Sequence, residues 1–409
     1  MYPVKIAIIS DLHVGPAAKT QDMCPCPCDA SSQAFKDYNK KTSVSMRQSF
    51  VDFIKNNDIS ADYLVIPGDI TDAAHPMQVK LASEVITEFS EGLHVPMDRI
   101  IYVPGNHDLD WLCYDKEDQT GIKWSHRYSA FKSKDFIFAG AQGQSECGLF
   151  NSPYFSSWTY DNLFVLGYNS SNHDTPIEKE HRGLISSEHV LAMRNYLTSL
   201  KLSTNIIKVF IIHHHLTNLS LPLPDTPDYS LATNAQEMIA LLREFKFDFV
   251  VHGHRHHPCF EDRIKDLPIL CSGSFSAEID TKWNGKVQNQ FHLLVFDKKD
   301  GISSKGFIKS WSNTIGDWNP SHQFYCGIEH QIPFGKTISP EEKTKELFPQ
   351  LHLILEKNNF VLWNSVLESF PDYKYLSNKQ ICEILSEFAK AENATFGPND
   401  NNYIIYRER

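Results

Sequence analysis

The sequence lacks any run of about 18 or more apolar residues, so no membrane-spanning helix is predicted. It also lacks the Gly, Pro or Ser surplus of a disordered chain: 19 Gly and 21 Pro stand among 409 residues. With 41% hydrophobic and 22% charged residues, a buried core is well within reach. A basic surplus is absent too. Lys and Arg number 39 against 50 Asp and Glu, a net charge of −11, which argues against tight non-specific nucleic-acid binding and leaves only local basic grooves. Nine cysteines are an odd number, and Cys113, Cys147, Cys259, Cys271, Cys326 and Cys382 are spread singly, which reads as reduced thiols rather than a disulfide framework. The chain enters the strand-like Val4-Lys5-Ile6-Ala7-Ile8-Ile9 without a charged leader and cleavage site, so the expected address is the cytosol.

What is present is an alternation of short β-branched runs with helix-period segments, the pattern of a layered α/β fold. Strands are expected at Val4 to Ile9, Tyr63 to Ile66, Ile100 to Val103, Asn162 to Leu166, Ile206 to Ile212, Phe247 to Val251 and Phe291 to Phe296. Met46, Phe50, Phe53 and Ile54 fall on one helical face, as do Val190, Met193, Leu197 and Leu200. After about Trp311 the residues Trp318, Pro320, Pro333, Gly335 and Pro340 punctuate a stretch that reads as a connection. Beyond it, Ser339-Pro340-Glu341-Glu342 makes a helix start, Ile381, Ile384, Leu385 and Phe388 an amphipathic face, and Tyr403 to Tyr406 a short strand. The expected organisation is a catalytic domain over 1–315 and a small, mainly helical unit over 335–409, its core drawn from Phe360, Trp363, Phe370, Tyr373 and Tyr375.

Five short motifs follow predicted strands in order: Asp11-Leu12-His13, Gly68-Asp69, Gly105-Asn106-His107-Asp108, His213-His214-His215 and Gly253-His254-Arg255-His256. Strand ends are where α/β enzymes gather reactive groups. Each motif alone is a chance-level signal, and most isolated histidines are surface or satisfied core residues. Five in order are not. Oxygen donors mixed with imidazoles suit Mn²⁺ or Fe first, with Zn²⁺ as the alternative, better than Ca²⁺ or an all-thiolate zinc site.

Together the motifs resemble the calcineurin-like metallophosphoesterase superfamily, whose pattern D-x-H, G-D, G-N-H-[D/E], H, G-H-x-H is filled here between about residues 4 and 310. The resemblance implies a two-sheet αββα sandwich and two divalent metal ions. Asp11, His13 and His256 would hold one ion, and Asn106, a histidine of the 213–215 run and His254 the other, with Asp69 shared. Within the run His213 is preferred over His214, because a strand ending at Ile212 delivers it first. His107 would protonate the leaving oxygen, and Asp72 would orient it. Such a site suits phosphate esters, whose negative charge repels a nucleophile until cations offset it.

Purple acid phosphatases carry a tyrosine three residues after the shared aspartate, where this chain has Asp72; Ser/Thr protein phosphatases carry arginines where it has Ala73 and Pro104. What remains resembles the phosphodiesterase branch that includes class III cyclic-nucleotide phosphodiesterases. The leading expectation is therefore a phosphodiesterase acting on a nucleotide or similar small metabolite, with no membrane partner. The alternatives are a nuclease whose C-terminal unit contacts DNA or RNA, and a non-catalytic scaffold, which the filled ligand positions disfavour.

Blander readings apply elsewhere. His252 and His257, flanking the last motif, read as neighbours of the site or plain polar groups, and Arg255 as a solvent-facing spacer. The cluster Cys24-Pro25-Cys26-Pro27-Cys28 would be extended, its thiols sharing one face, and reads as a loop near the active-site mouth ahead of a separate metal or redox role.

Overall fold

The computed structural model describes residues 3–27, 31–115, 126–132, 154–176, 181–218, 230–261, 267–279, 287–299, 301, 303–314, 316–321, 331–399 and 402–407. Cys28, Cys147 and Cys326 lie outside the described residues. In chain order the strands are β1 Val4–Ile8, β2 Tyr63–Ile66, β3 Ile100–Tyr102, β4 Phe155–Thr159, β5 Leu163–Tyr168, β6 Ile207–Ile212, β7 Phe249–His252, β8 Cys259–Glu261, β9 Ile269–Cys271, β10 Asn289–Lys299, β11 Ser304–Thr314, β12 Asp317–Pro320, β13 Gln331–Phe334, β14 Phe360–Leu362, β15 Thr395–Asn399 and β16 Asn402–Tyr406. The helices are α1 Gln33–Lys40, α2 Met46–Asn56, α3 Pro76–Gly92, α4 Ser187–Ser199, α5 Ala235–Glu244, α6 Pro340–Glu342, α7 Phe348–Asn358, α8 Trp363–Ser369 and α9 Asn378–Ala391. None is long and apolar enough to cross a membrane.

Two sheets carry the fold. One runs β12-β11-β10-β1-β2-β3, with β13 also on β11; the other runs β4-β5-β6-β7-β9-β8. β1, β2 and β3 are parallel, as are β5, β6, β7 and β9, so their C-terminal ends share a direction within each sheet. Strand alternation sorts the apolar side chains into layers. Val4, Ile6 and Ile8 of β1 meet Val165, Val209 and Phe249 from the second sheet in the central core. Ala7 and Ile9 face the opposite way, onto α2 and α3. On the far face of the second sheet Phe164, Phe210 and Ile212 pack on α4 and α5. The result is the αββα sandwich expected from the sequence.

α2 begins at Ser45, whose side chain accepts from the Gln48 N–H, and buries Met46, Phe50 and Ile54. Phe50 meets Phe89, Phe275 and Phe291 edge-on at 4.8 to 5.0 Å, so Phe50→Ala would cost about 3–5 kcal/mol. The sequence expectations do not include α3, although Val79, Ala82, Ile86 and Phe89 recur at helical spacing behind Pro76 at its N-terminus.

The stretch after Trp311, expected to be a connection, instead adds β12 and β13 to the first sheet, and Phe334 of β13 enters the central core. A separate apolar cluster follows, formed by Leu351, Leu355, Trp363, Val366, Tyr373, Ile384, Leu385 and Phe388 with Ile405. Its helices back a three-stranded sheet of order β14-β16-β15. Phe360 is exposed there rather than buried. Tyr375 and Lys374 bind Asp297, and Lys305 pairs with Asp372 at 3.3 Å, tying this unit to β10 and β11.

Candidate metal centre

Every sequence-predicted site residue follows the C-terminal end of a parallel strand. Asp11 and His13 follow β1, Asp69 and Asp72 follow β2, Asn106 and His107 follow β3, His213 follows β6, and His254 and His256 follow β7. Close packing lets these loops meet. A Cβ on Gly105 would overlap the Asp69 carboxylate, and one on Gly253 would overlap the Asp11 carboxylate and the Ser10 hydroxyl. The two sheets are joined here directly: the His254 N–H donates to Asp11 Oδ1 at 2.9 Å.

The side chains form two adjoining donor sets. In one, His13 Nε2 lies 2.9 Å from His256 Nε2 and 3.4 Å from Asp69 Oδ2, while His256 Nε2 is 3.5 Å from Asp11 Oδ1. In the other, His213 Nε2 lies 3.2 Å from Asp69 Oδ2 and 3.1 Å from Asn106 Oδ1. His254 Nδ1 is 3.0 Å from Asn106 Oδ1 and 3.2 Å from His213 Nε2. The same Asp69 oxygen therefore stands between both sets. Its Oδ1 accepts the His107 N–H at 2.9 Å.

These residues fit two metal ions. Donors bound at about 2.0–2.2 Å to one ion sit about 3 Å from each other, as these do. Nitrogen lone pairs facing each other across such gaps repel unless a proton or cation lies between them. His213 Nδ1 lies 2.9 Å from the Pro67 carbonyl; donating there leaves Nε2 free as the ligand atom. The His13 Nδ1 is buried with the Asp72 carboxylate 3.6 Å away, which leaves Nε2 facing His256 and Asp69 as the ligand atom.

Proton competition at the site is visible in its electrostatics. Burial pushes Asp11 up to about 6, against the pull of His213 and His13. At Asp69 burial acts the same way but is outweighed by His213, His107 and His13, which hold its carboxyl well below the usual carboxylate range. Burial would lower His13 and His213, yet the acids beside them raise the two rings to about 10 and about 9. Burial keeps His254 and His256 well below the ordinary histidine value, in the neutral form a metal needs.

Of the histidine run, His213 enters the donor sets. His214 turns away, with Nδ1 2.8 Å from Ser170 Oγ and Nε2 2.8 Å from the His181 carbonyl. His107 lies at the rim, its side chain 40% exposed and its ring 4.6 Å from that of His13. Its Nδ1 meets the Asp72 backbone carbonyl at 2.9 Å, while the Asp72 carboxylate is 3.5 Å away and equally close to His13, at 3.6 Å. Arg255 is half-buried, not solvent-facing. Cys24 is buried and Cys26 exposed, so these two thiols do not share one face.

Sequence reasoning missed the residues that hold the loops. The buried Asp108 carboxylate accepts N–H groups of Ile70, Thr71 and Gly105 at 2.8 to 3.1 Å, and the Thr71 hydroxyl. Its place at the end of the G-N-H-D motif was the available signal. Ser274 and Ser276 donate to the Asp11 and Leu12 carbonyls at 2.7 and 2.5 Å. Only their alternation after β9 hinted at this.

The model of the calcineurin-like phosphoesterase family matches residues 4–258, which contain all five motifs. The chain belongs to this family. Among solved structures it is similar to a purple acid phosphatase, PPD1, from yellow lupin (Lupinus luteus) seeds, at 12% identity and a TM-score of 0.48, covering 78% of this chain and 52% of the lupin chain. It thus spans about half the length of that enzyme. A dimetal phosphatase from Danio rerio is similar at 11% identity and a TM-score of 0.41, over 75% of this chain and 95% of that one. GAP50, described as the anchor in the inner membrane complex of Plasmodium, is similar at 15% identity and a TM-score of 0.40, over 78% and 87%.

Proposed function

We propose that this calcineurin-like phosphoesterase is a phosphodiesterase acting on a nucleotide or similar small phosphodiester. The observation that carries the reading is the position of Asp69, one oxygen between two donor sets and the other holding the backbone of His107. Asp11, His13 and His256 would hold one ion, Asn106, His213 and His254 the other, with Asp69 common to both. Bound there, two divalent cations, Mn²⁺ or Fe in the first instance, offset the charge of the phosphate and lower the pKa of a shared water.

The chain's own groups do the rest. His107 Nδ1–H donates to the Asp72 carbonyl, which leaves Nε2 to carry the proton delivered to the departing oxygen. Burial would lower its ring, but Asp69 and Asp72 outweigh burial and raise it above the ordinary histidine value, which favours the proton-carrying form. Asp72 holds the ring through its main chain and biases its charge through its carboxylate. The unit from about residue 335 onward adjusts substrate choice or assembly and contributes no catalytic group. The scattered spacing of its cysteines supports a cytosolic address.

The test is a substrate panel with Mn²⁺: cyclic nucleotides, linear phosphodiesters, phosphomonoesters, and single- and double-stranded DNA. Turnover of a small phosphodiester above the other classes is expected. Preference for DNA would replace this reading with a nuclease, preference for monoesters with a phosphatase, and no turnover of any ester with a scaffold.

A further inference from the structure

A second cluster of metal-ligating side chains lies behind the two-ion centre. His252 ends β7 and Cys271 ends β9, and the two are direct partners in the parallel ladder. Cys259 begins β8 and is the direct partner of Cys271 on the other side. In-register neighbours on adjacent strands point to the same face of a sheet, about 4.8 Å apart, so one row presents an imidazole and two thiols side by side. His215 reaches this row from the segment after β6. Its ring lies 4.2 Å from that of His252, and its Nε2 is 3.7 Å from Cys271 Sγ. Ligand atoms of His215, His252 and Cys271 all lie within 4.8 Å of one another, and all three residues are buried.

Three polar atoms of the cluster crowd the Gly253 carbonyl: His215 Nε2 at 3.0 Å, His252 Nδ1 at 3.5 Å and Cys271 Sγ at 3.7 Å. The Cys271 thiol also meets the His257 carbonyl at 3.1 Å, while the His252 contact is long for a hydrogen bond. The other nitrogen of the His215 ring, Nδ1, is buried with no partner. Two imidazoles and a thiolate are the donor set of a borderline-soft divalent cation, and donors bound at about 2.0–2.3 Å would stand about 3.5 Å apart, close to the His215–Cys271 separation.

We propose that His215, His252 and Cys271 hold a third metal ion of the Zn²⁺ class. The Cys271 thiol releases its proton to solvent as the ion binds, and no oxidant or reductant is involved. The ion clasps the ends of β7 and β9 to the segment after β6. It lies at the base of the Gly253 turn that presents His254 and His256, so its role is to stiffen that turn. The inference stands apart from the phosphodiesterase reading, since it concerns metal content and not turnover.

The full-length protein, stripped with chelator under reducing conditions, is titrated with Co²⁺ alone. Co²⁺ bound by nitrogen and oxygen gives no thiolate-to-cobalt charge-transfer band, so the two-ion centre is silent in the near ultraviolet. The expected result is such a band in the native protein, abolished or much weakened in Cys271→Ser, with zinc analysis falling by one ion per chain in that variant. Should Cys271→Ser not fold, His252→Asn and His215→Asn carry the same test, each altering the band. Absence of the band at saturation, a band unchanged in Cys271→Ser, or a Cys259–Cys271 disulfide in the native protein would overturn the proposal.

Discussion

Replacing His107 with alanine separates binding from chemistry. The His107 backbone N–H that Asp69 Oδ1 accepts survives the substitution, and the imidazole contributes no atom to either donor set around Asp69 Oδ2. Both metals should therefore remain bound. What is lost is a ring held at 2.9 Å on the Asp72 carbonyl and raised above the ordinary histidine value by the acids beside it. General acid catalysis of this kind is worth about 10²- to 10⁴-fold, or roughly 3–5.5 kcal/mol of barrier. That full loss should appear on a substrate with a poor alkoxide leaving group. A nitrophenyl ester departs without protonation and should lose much less. The assay is metal content with kcat on both substrates. Equal losses on the two, or a missing metal, would refute the role given to His107. Asp72→Asn keeps the backbone carbonyl and should show a milder form of the same split.

Asp69→Asn should weaken both ions together, because one oxygen serves both sets; selective loss of a single ion by elemental analysis would refute the shared role. Asp108→Ala strands three backbone N–H groups and should destabilise the fold by about 3–5 kcal/mol in denaturant melts, and a change under about 1 kcal/mol would contradict its place as the clamp between the two loops. A chain ending at Lys336 keeps β13 and Phe334, and should retain turnover of an activated phosphodiester; complete inactivity in a truncation that folds and binds both metals would give the C-terminal unit a catalytic role.

The site was legible because its chemistry is local: each motif begins within three residues of a strand end, and strand ends are marked by β-branched runs such as Ile207 to Ile212. The choice of His213 over His214 followed from the same geometry, and the structure puts His213, not His214, among the donors. What escaped depends on partners far away in sequence. β12 and β13 carry Pro320 and Pro333, residues that signal a loop, yet among the described residues each strand pairs only with β11, an edge position where proline is tolerated. The row His252, Cys271 and Cys259 needs the register of three strands, which no local pattern encodes. That the Asp72 carbonyl rather than its carboxylate meets His107 is a matter of rotamer, equally invisible in the sequence.

The backbone at the centre shows how the two sheets serve one site. Asp11, His13, Asp69, His254 and His256 all have positive φ, between 45° and 77°. Such values are uncommon for residues with a Cβ and cost on the order of 1 kcal/mol or more each. Five of them at one place persist only because the surroundings over-determine them. The Asp11 N–H donates to the Gly68 carbonyl at 3.1 Å, that of His13 to the Asp69 carbonyl at 2.9 Å, and the Asp11 carboxylate in turn fixes His254. Asp108 and Ser274 lock the same loops from behind. The strain lies in the residues that would bind metal, and the hydrogen bonds that oppose it come partly from one another, through the Asp69 carbonyl and the Asp11 carboxylate, and partly from Gly68, Asp108 and Ser274, which would not bind metal. Donors held this way keep their facing geometry before any cation arrives, so affinity is not lost to ordering the loops. This is why the motifs are short and separated: each supplies one or two donors, five of the seven strained, and the fold, rather than any one motif, supplies the rigidity.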